Sequence, residues 1–293
     1  MLKQLCDNYA RLEYYDLSSD NIILHGAALS YLQTKEESDY FCFMDADIFA
    51  VGNFMDEFIP YINQFSGVFS GSAIWQHEQD QIIEKSNLRM GGRFHWTSDS
   101  FCLGSSFFAI YHNGTLSQLI KDTGVTFDKY LTWQSIPKEQ RDEIEKLGLK
   151  KKAYDTGKII NILLQVYGNK IIYKNSKALW HLGGLSSRLI GPLSKVPSKG
   201  IKRIRKNIST LISLKSMINR AARKERKYQL NIKYKRFDTA QYFTQILHCL
   251  FNDIPIAATL KIKDEAVSKK IKIARNYIED LYNEFQDELE ISE

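Results

Sequence analysis

Cysteine is scarce and unpatterned in this chain. There are four in 293 residues, Cys6, Cys42, Cys102 and Cys249, with no C-x-x-C pair and no Cys/His spacing. That excludes a zinc ribbon and a thioredoxin-like redox motif, and it fits a reducing compartment. Cys42 and Cys102 lie inside apolar runs and are expected to be buried thiols. Long apolar runs are also missing: none approaches the ~20 residues that a membrane-spanning helix needs. The charged N-terminus has no apolar h-region, so no secretory signal is expected. No internal repeat is present, which argues against a solenoid. Glycine disappears after Gly200, so whatever follows is built without the residue that makes tight turns easy. Together these absences lead to the expectation of a cytoplasmic globular protein.

What remains is ordinary in bulk and uneven in detail. A hydrophobic share of 44% with 25% charged residues is enough apolar material for a sizeable core. The length suits one large domain, or one medium domain with an appendage. The net charge of +6 is distributed unevenly. Charges roughly balance up to Ala178. They are mostly positive from Lys199 to Arg236 and acidic from Glu279 to Glu293. Between the cations stand Ile201, Ile204, Ile208, Leu211 and Ile212, a pattern for an amphipathic helix that packs on the protein or touches an anionic membrane surface. No RNA- or DNA-binding motif accompanies the charge, so no nucleic-acid partner is expected.

Apolar periodicity places alternating strands and helices up to about residue 185, which predicts an α/β layer architecture. Short strands are expected at 22–24, 40–44, 67–75, 101–111, 170–173 and 178–181. Gly104-Ser105-Ser106 puts a bend in the fourth of these. Helices are expected at 2–12 and 27–33, from an Asn53 N-cap to about 63, after Asn113-Gly114, from Lys138, and from 158 onward. Past Pro192 and Pro197 the patterns become helical. The organisation expected is an α/β domain over 1–195 and a basic helical region over 196–293.

The densest chemistry lies in Tyr40-Phe41-Cys42-Phe43-Met44-Asp45-Ala46-Asp47-Ile48-Phe49. An apolar run ending in two carboxylates predicts a strand at the centre of a sheet, buried on both faces. Ligands of open α/β sheets collect outside the carboxyl ends of such strands. Two acids so close repel unless a cation neutralises them, and hard Mg²⁺ or Mn²⁺ is held by a few carboxylates plus substrate phosphates. The plainer reading is a strand ending in an Asx turn. Phosphatases of the haloacid dehalogenase type also place D-x-D at a strand end, but Phe49 stands where those proteins usually have Thr or Val.

Phe43-Met44-Asp45-Ala46-Asp47 resembles the D-x-D motif of nucleotide-sugar-dependent glycosyltransferases with the GT-A fold, closest to family two. His25-Gly26-Ala27-Ala28-Leu29 is similar to the His-Gly-x-x-Leu segment ahead of D-x-D in some bacterial members. Tyr154-Asp155-Thr156-Gly157 and Trp180-His181-Leu182-Gly183-Gly184 follow in the family's order. The resemblance covers roughly residues 20–190. It implies a GT-A-like, Rossmann-type mixed sheet flanked by helices, with a helical C-terminal extension. It also implies an inverting hexosyl transfer from a nucleoside diphosphate sugar to a glycan, lipid-linked or protein acceptor. In that scheme Asp47 coordinates Mn²⁺ or Mg²⁺, Asp45 contacts the ribose or the metal, and His181 completes the metal shell. His25 and Gly26 lie by the nucleotide, and Asp155 is the general base. His95, Trp96 and Asp99 line the acceptor pocket.

Each of these residues has a plainer alternative: a surface cap for His25, an N-cap for Asp155, a half-buried histidine beside Trp180 for His181, and loop or core packing for the acceptor residues. The family's first unit, a strand such as hydrophobic-Ile-Pro-x-Tyr-Asn with its helix, has no counterpart ahead of His25. Either the chain is a truncated product or its nucleobase pocket is built differently. That gap keeps a second function open, a catalytically weak glycan- or partner-binding remnant.

Overall fold

The structure is a computed structural model. It describes residues 2–7, 10–17, 23–71, 73–75, 82–83, 94–97, 100–128, 133–149, 154–183, 239–252, 254–256 and 264–291. The protein is α/β with a mixed sheet. The chain forms two compact units: Met1–Phe41 with Tyr111–Lys170, and Cys42–Ile110 with Ile171–Glu293. The expected boundary near residue 195 and the basic stretch 199–236 lie outside the described residues. Residues 239–252 and 264–291 belong to the second unit.

The first unit is mainly helical. It holds α1 (Leu2–Asp7), α2 (His25–Gln33), α4 (Asn113–Thr123), α5 (Lys138–Lys146) and α6 (Lys158–Val166). The sequence KIINILLQV makes α6 apolar almost all round, and its residues from Ile159 to Leu164 are all buried. A helix of that kind belongs in a core. Tyr111 donates its hydroxyl to Asn161 Oδ1 at 2.8 Å, so the one polar side chain in that run has a buried partner, as burial requires. Phe127 packs on Phe41 and Tyr111, with ring centroids 5.8 and 5.7 Å apart. The strand expected at 22–24 is not formed by its described residues. Leu24 is the extended N-cap of α2, and the helix starts two residues earlier than its apolar pattern suggests.

Most of the strand residues belong to the second unit. A four-stranded sheet runs in the order β1 (Tyr40–Met44), β6 (Phe108–His112), β3 (Gly67–Ser70), β7 (Ile171–Tyr173). Strands β3 and β7 are parallel, with Phe69 opposite Tyr173. Asp45 N–H donates to the Phe107 carbonyl and Asn113 N–H to the Asp39 carbonyl, both at 2.8 Å. Numbers that rise along β1 fall along β6, the mark of an antiparallel pair. Two short ribbons complete the strands: β2 (Ile48–Ala50) with β8 (Leu179–His181), and β4 (His95–Trp96) with β5 (Cys102–Leu103).

Three expectations are corrected here. Among the described residues strand β1 stands at the edge of the sheet rather than its centre. Phe41 and Phe43 are buried whereas Cys42 and Met44 are exposed, the alternation of a strand with one covered face. Cys42 is therefore not buried. Cys102 is, and its thiol is pushed up to about 12 by that burial. The helix expected from Asn53 to 63 is broken into a 3₁₀ turn, Met55–Glu57, and α3, Ile59–Ile62. Pro60 lies within it and has no N–H to extend the ladder backwards. The apolar run 101–111 divides, as expected, at Gly104, where a Cβ would collide with the Tyr173 and Phe94 rings.

The C-terminal helix α7 (Glu265–Ile291) packs through Val267, Ile271, Ala274 and Ile278, spaced three and four apart along one face. That stripe joins Tyr242, Phe243 and Ile246 of the helical segment 239–250 over Ala73, Ile74, Trp75 and Leu182. Fully burying a side chain such as Phe243 contributes roughly 2–3 kcal/mol. Among the described residues no helix is long and apolar enough to cross a membrane.

Candidate metal centre

Strand β1 ends at Met44, and Asp45, Ala46 and Asp47 make the turn into β2. Three backbone hydrogen bonds hold that turn and its surroundings. Asp45 N–H donates to the Phe107 carbonyl at 2.8 Å. The Asp47 carbonyl accepts Leu182 N–H at 2.9 Å. Ile74 N–H donates to the His181 carbonyl at 2.8 Å. The ribbon register places Ile48 opposite His181. His181 is thus set beside Asp47 by pairing between segments far apart in the chain.

The approach to β8 is fixed in turn. Ser176 Oγ accepts the N–H groups of Ala178 and Leu179 at 3.0 and 3.1 Å. The same hydroxyl donates to Glu57 Oε1 at 2.8 Å. Beyond His181 the chain turns at Gly183, with φ +77°, a conformation that L side chains resist. A Cβ there would also stand 3.0 Å from Ala73 Cβ and 3.2 Å from Trp75 Nε1.

These constraints gather two carboxylates and an imidazole. His181 Nε2 lies 2.9 Å from Asp47 Oδ1 and 3.9 Å from Asp45 Oδ2. Ligand atoms from all three residues fall within 4.8 Å of one another. His181 is 5% exposed, while the Asp45 and Asp47 side chains keep 29% and 13% of their surface open. The set therefore has a closed back and an open front.

The spacing suits a hard divalent ion. With ligands at ~2.1 Å, an octahedral ion sets neighbouring donors ~3.0 Å apart and opposite donors ~4.2 Å apart. Carboxylate donors suit Mg²⁺ or Mn²⁺, and an imidazole beside them favours Mn²⁺ or Zn²⁺ over Mg²⁺. The group Asp45, Asp47 and His181 could hold a metal ion, with further positions left open on the exposed side.

The other candidate residues fall elsewhere. His25 begins α2, Gly26 is buried behind it, and Leu24 supplies no side-chain cap. His25 keeps an exposed edge, yet the protein atoms around its ring disfavour the imidazolium and lower its pKa. The Asp155 carboxylate acts in the opposite direction. These two belong together in the first unit. Asp155 is exposed and is not the N-cap of α6. Gly157 holds that position with φ +74°, and Asp155 Oδ1 instead accepts Thr156 N–H at 3.1 Å. His95 and Trp96 form β4, where Trp96 is half-buried and packs near Phe94, ring centroids 6.5 Å apart. Asp99 lies outside the described residues, as does the side chain of His95.

Sequence reasoning missed Phe107. Its ring lies on the His181 imidazole, with centroids 3.6 Å apart. Nothing in an apolar run marks which member will reach a histidine 74 positions later in the numbering. Comparison of the chain with protein-family models, curated proteins and solved structures finds no match.

Proposed function

We propose that this chain is a metal-dependent glycosyltransferase of GT-A type, moving a sugar from a nucleoside diphosphate sugar to a glycan, lipid-linked or protein acceptor. One observation carries the reading. Asp45, Asp47 and His181, the three residues the family resemblance selects as metal ligands, stand with ligand atoms within 4.8 Å of one another. An accidental D-x-D has no reason to meet a histidine 134 residues on. The mixed α/β sheet is compatible with the same reading.

In this reading Asp45, Asp47 and His181 hold Mn²⁺ or Mg²⁺. A divalent ion held by these residues would supply positive charge to a diphosphate and to the leaving nucleotide. Asp45, the more exposed of the two acids, also contacts the ribose. His25 and the first turn of α2 serve the nucleotide, since helix N-termini suit anions. Asp155 takes the proton from the acceptor hydroxyl as that oxygen attacks the anomeric carbon. His95, Trp96 and Asp99 are assigned to the acceptor. Residues 199–236 are assigned to contact with an anionic membrane surface.

The test is calorimetry and turnover with a panel of nucleoside diphosphate sugars. The reading expects Mn²⁺-dependent release of nucleoside diphosphate, abolished by EDTA and by Asp47→Ala. A folded chain that gives no heat with Mn²⁺, or with any activated sugar in its presence, overturns it. Affinity for a glycan that EDTA leaves unchanged would favour a binding remnant instead.

A further inference from the structure

Phe107 touches the candidate metal centre twice without offering it a ligand. Its ring lies against the His181 imidazole, centroids 3.6 Å apart and planes inclined by 31°. Its carbonyl accepts the Asp45 N–H at 2.8 Å. Its own N–H donates to the Ser70 carbonyl at 2.9 Å, which fastens this residue to the end of β3. The chain just beyond is buried at Phe108, Ala109, Ile110 and Tyr111. The core therefore fixes the backbone from which Phe107 projects.

The importance of this contact follows from what else holds the imidazole. His181 is joined to Asp47 through Nε2, at 2.9 Å. Nε2 is also the ring atom nearest both carboxylates, and so the atom an ion between them would take. A ligated Nε2 has no proton to share with Asp47, so that hydrogen bond disappears when the ion arrives. The ring plane must then be held by contacts that do not pass through Nε2. Phe107 covers one face, and the chain at Gly183 lies near Cε1, where an added Cβ would come within 3.4 Å. A histidine ligand works only when its ring is aimed, and groups behind the ligands commonly do the aiming.

We propose that Phe107 is a positioning residue of the metal centre. Its ring keeps the His181 imidazole in the ligating orientation, and its carbonyl sets the backbone of Asp45. The proposal rests on the metal-centre reading above and extends it to a residue with no donor atom at the ion.

The experiment titrates Mn²⁺ into the full chain by calorimetry. It compares the wild type with Phe107→Leu, Phe107→Tyr, Asp47→Ala and Ile144→Val, the last a buried residue of α5 in the first unit, which holds none of the ligands. Phe107→Leu is expected to weaken Mn²⁺ binding by about tenfold or more, the scale seen when groups behind metal ligands are lost. Phe107→Tyr keeps the ring and restores affinity. Ile144→Val lowers the melting temperature and leaves affinity unchanged. With Co²⁺ at saturation, Phe107→Leu alters the visible ligand-field bands, which a general loss of stability would not. Should Phe107→Leu fail to fold, the wild type still decides. The carbon-bound ring protons of His181 should be shifted upfield by Phe107 in both the metal-free and Mg²⁺-loaded protein. Wild-type Mn²⁺ affinity in a folded Phe107→Leu, equal weakening by Ile144→Val, or no upfield shift in the loaded protein overturns the positioning role alone. Absence of Mn²⁺ binding by the wild type overturns the metal centre with it.

Discussion

The two units solve different electrostatic problems. The second gathers two like charges, the Asp45 and Asp47 carboxylates, with a buried histidine, their ligand atoms within 4.8 Å of one another. Asp45 and Asp47 repel each other, and burial makes that repulsion more costly. The fold therefore holds them with backbone bonds from Phe107 and Leu182 and a β-ribbon register. The first unit instead places an imidazole and an opposite charge, His25 and Asp155, at the starts of two helices. That pair attracts and needs little support. Asp155 is exposed, and its carboxylate accepts the neighbouring Thr156 N–H. The clamped carboxylates and His181 could hold a metal ion, whereas the exposed Asp155 carboxylate acts on the His25 ring through its charge.

The largest expected effect sharpens this contrast. Asp47→Ala should reduce Mn²⁺ affinity by about a hundredfold or more, beyond the 10–100-fold cost of losing a supporting group, as read by calorimetry. Asp155→Asn should leave that affinity unchanged while lowering kcat for sugar transfer by about 10²–10⁴-fold, the usual contribution of a general base. The division of labour breaks if Asp155→Asn weakens Mn²⁺ binding as much as Asp47→Ala does. It breaks equally if Asp155→Asn transfers sugar at the wild-type rate.

What could be read from the chain divides along the same line. Asp45 and Asp47 were legible because an apolar run that ends in two acids is a local pattern. His181 was legible only through a family order, and its meeting with Asp47 depends on a ribbon pairing that no local pattern encodes. The helices at 113–123, 138–146 and 158–166 follow from periodicity, and the bend at Gly104 from a glycine inside a strand. The edge position of β1 was not legible, because Tyr40-Phe41-Cys42-Phe43-Met44 is apolar at every position while only Phe41 and Phe43 are covered. The break in the helix after Asn53 was legible in Pro60 and went unused. Phe107 was not legible at all, since its partner is chosen by tertiary packing.

Two glycines with positive φ make a smaller test of the contrast. Gly124, φ +63°, ends α4 in the first unit, and an added Cβ would meet nothing within 4 Å. Gly124→Ala should cost about 1 kcal/mol from backbone conformation alone. Gly183, φ +77°, carries the same strain and adds close contacts to Ala73 and to Trp75 behind His181. Gly183→Ala should cost about 1–3 kcal/mol and also weaken Mn²⁺ binding. Chemical denaturation and calorimetry on both variants separate the two. Equal Mn²⁺ affinity in both would mean that the turn beyond His181 does not orient it.

The smallest effect concerns protons in the first unit. Crowding around the His25 ring lowers its pKa, and Asp155 opposes that shift. A histidine whose pKa falls on folding is protonated first in the unfolded chain. Stability at His25 is therefore fully present above the usual histidine value of about 6.5, and it declines as pH falls from there through the lower folded value. Asp155→Asn removes the opposing charge, so the His25 pKa should fall further, read from its ring protons in an NMR titration. The acid limb of the stability profile should then extend to lower pH. His25→Gln should flatten that limb while leaving stability above pH ~7 nearly unchanged. A His25 titration unmoved by Asp155→Asn would mean that the two groups do not share a field.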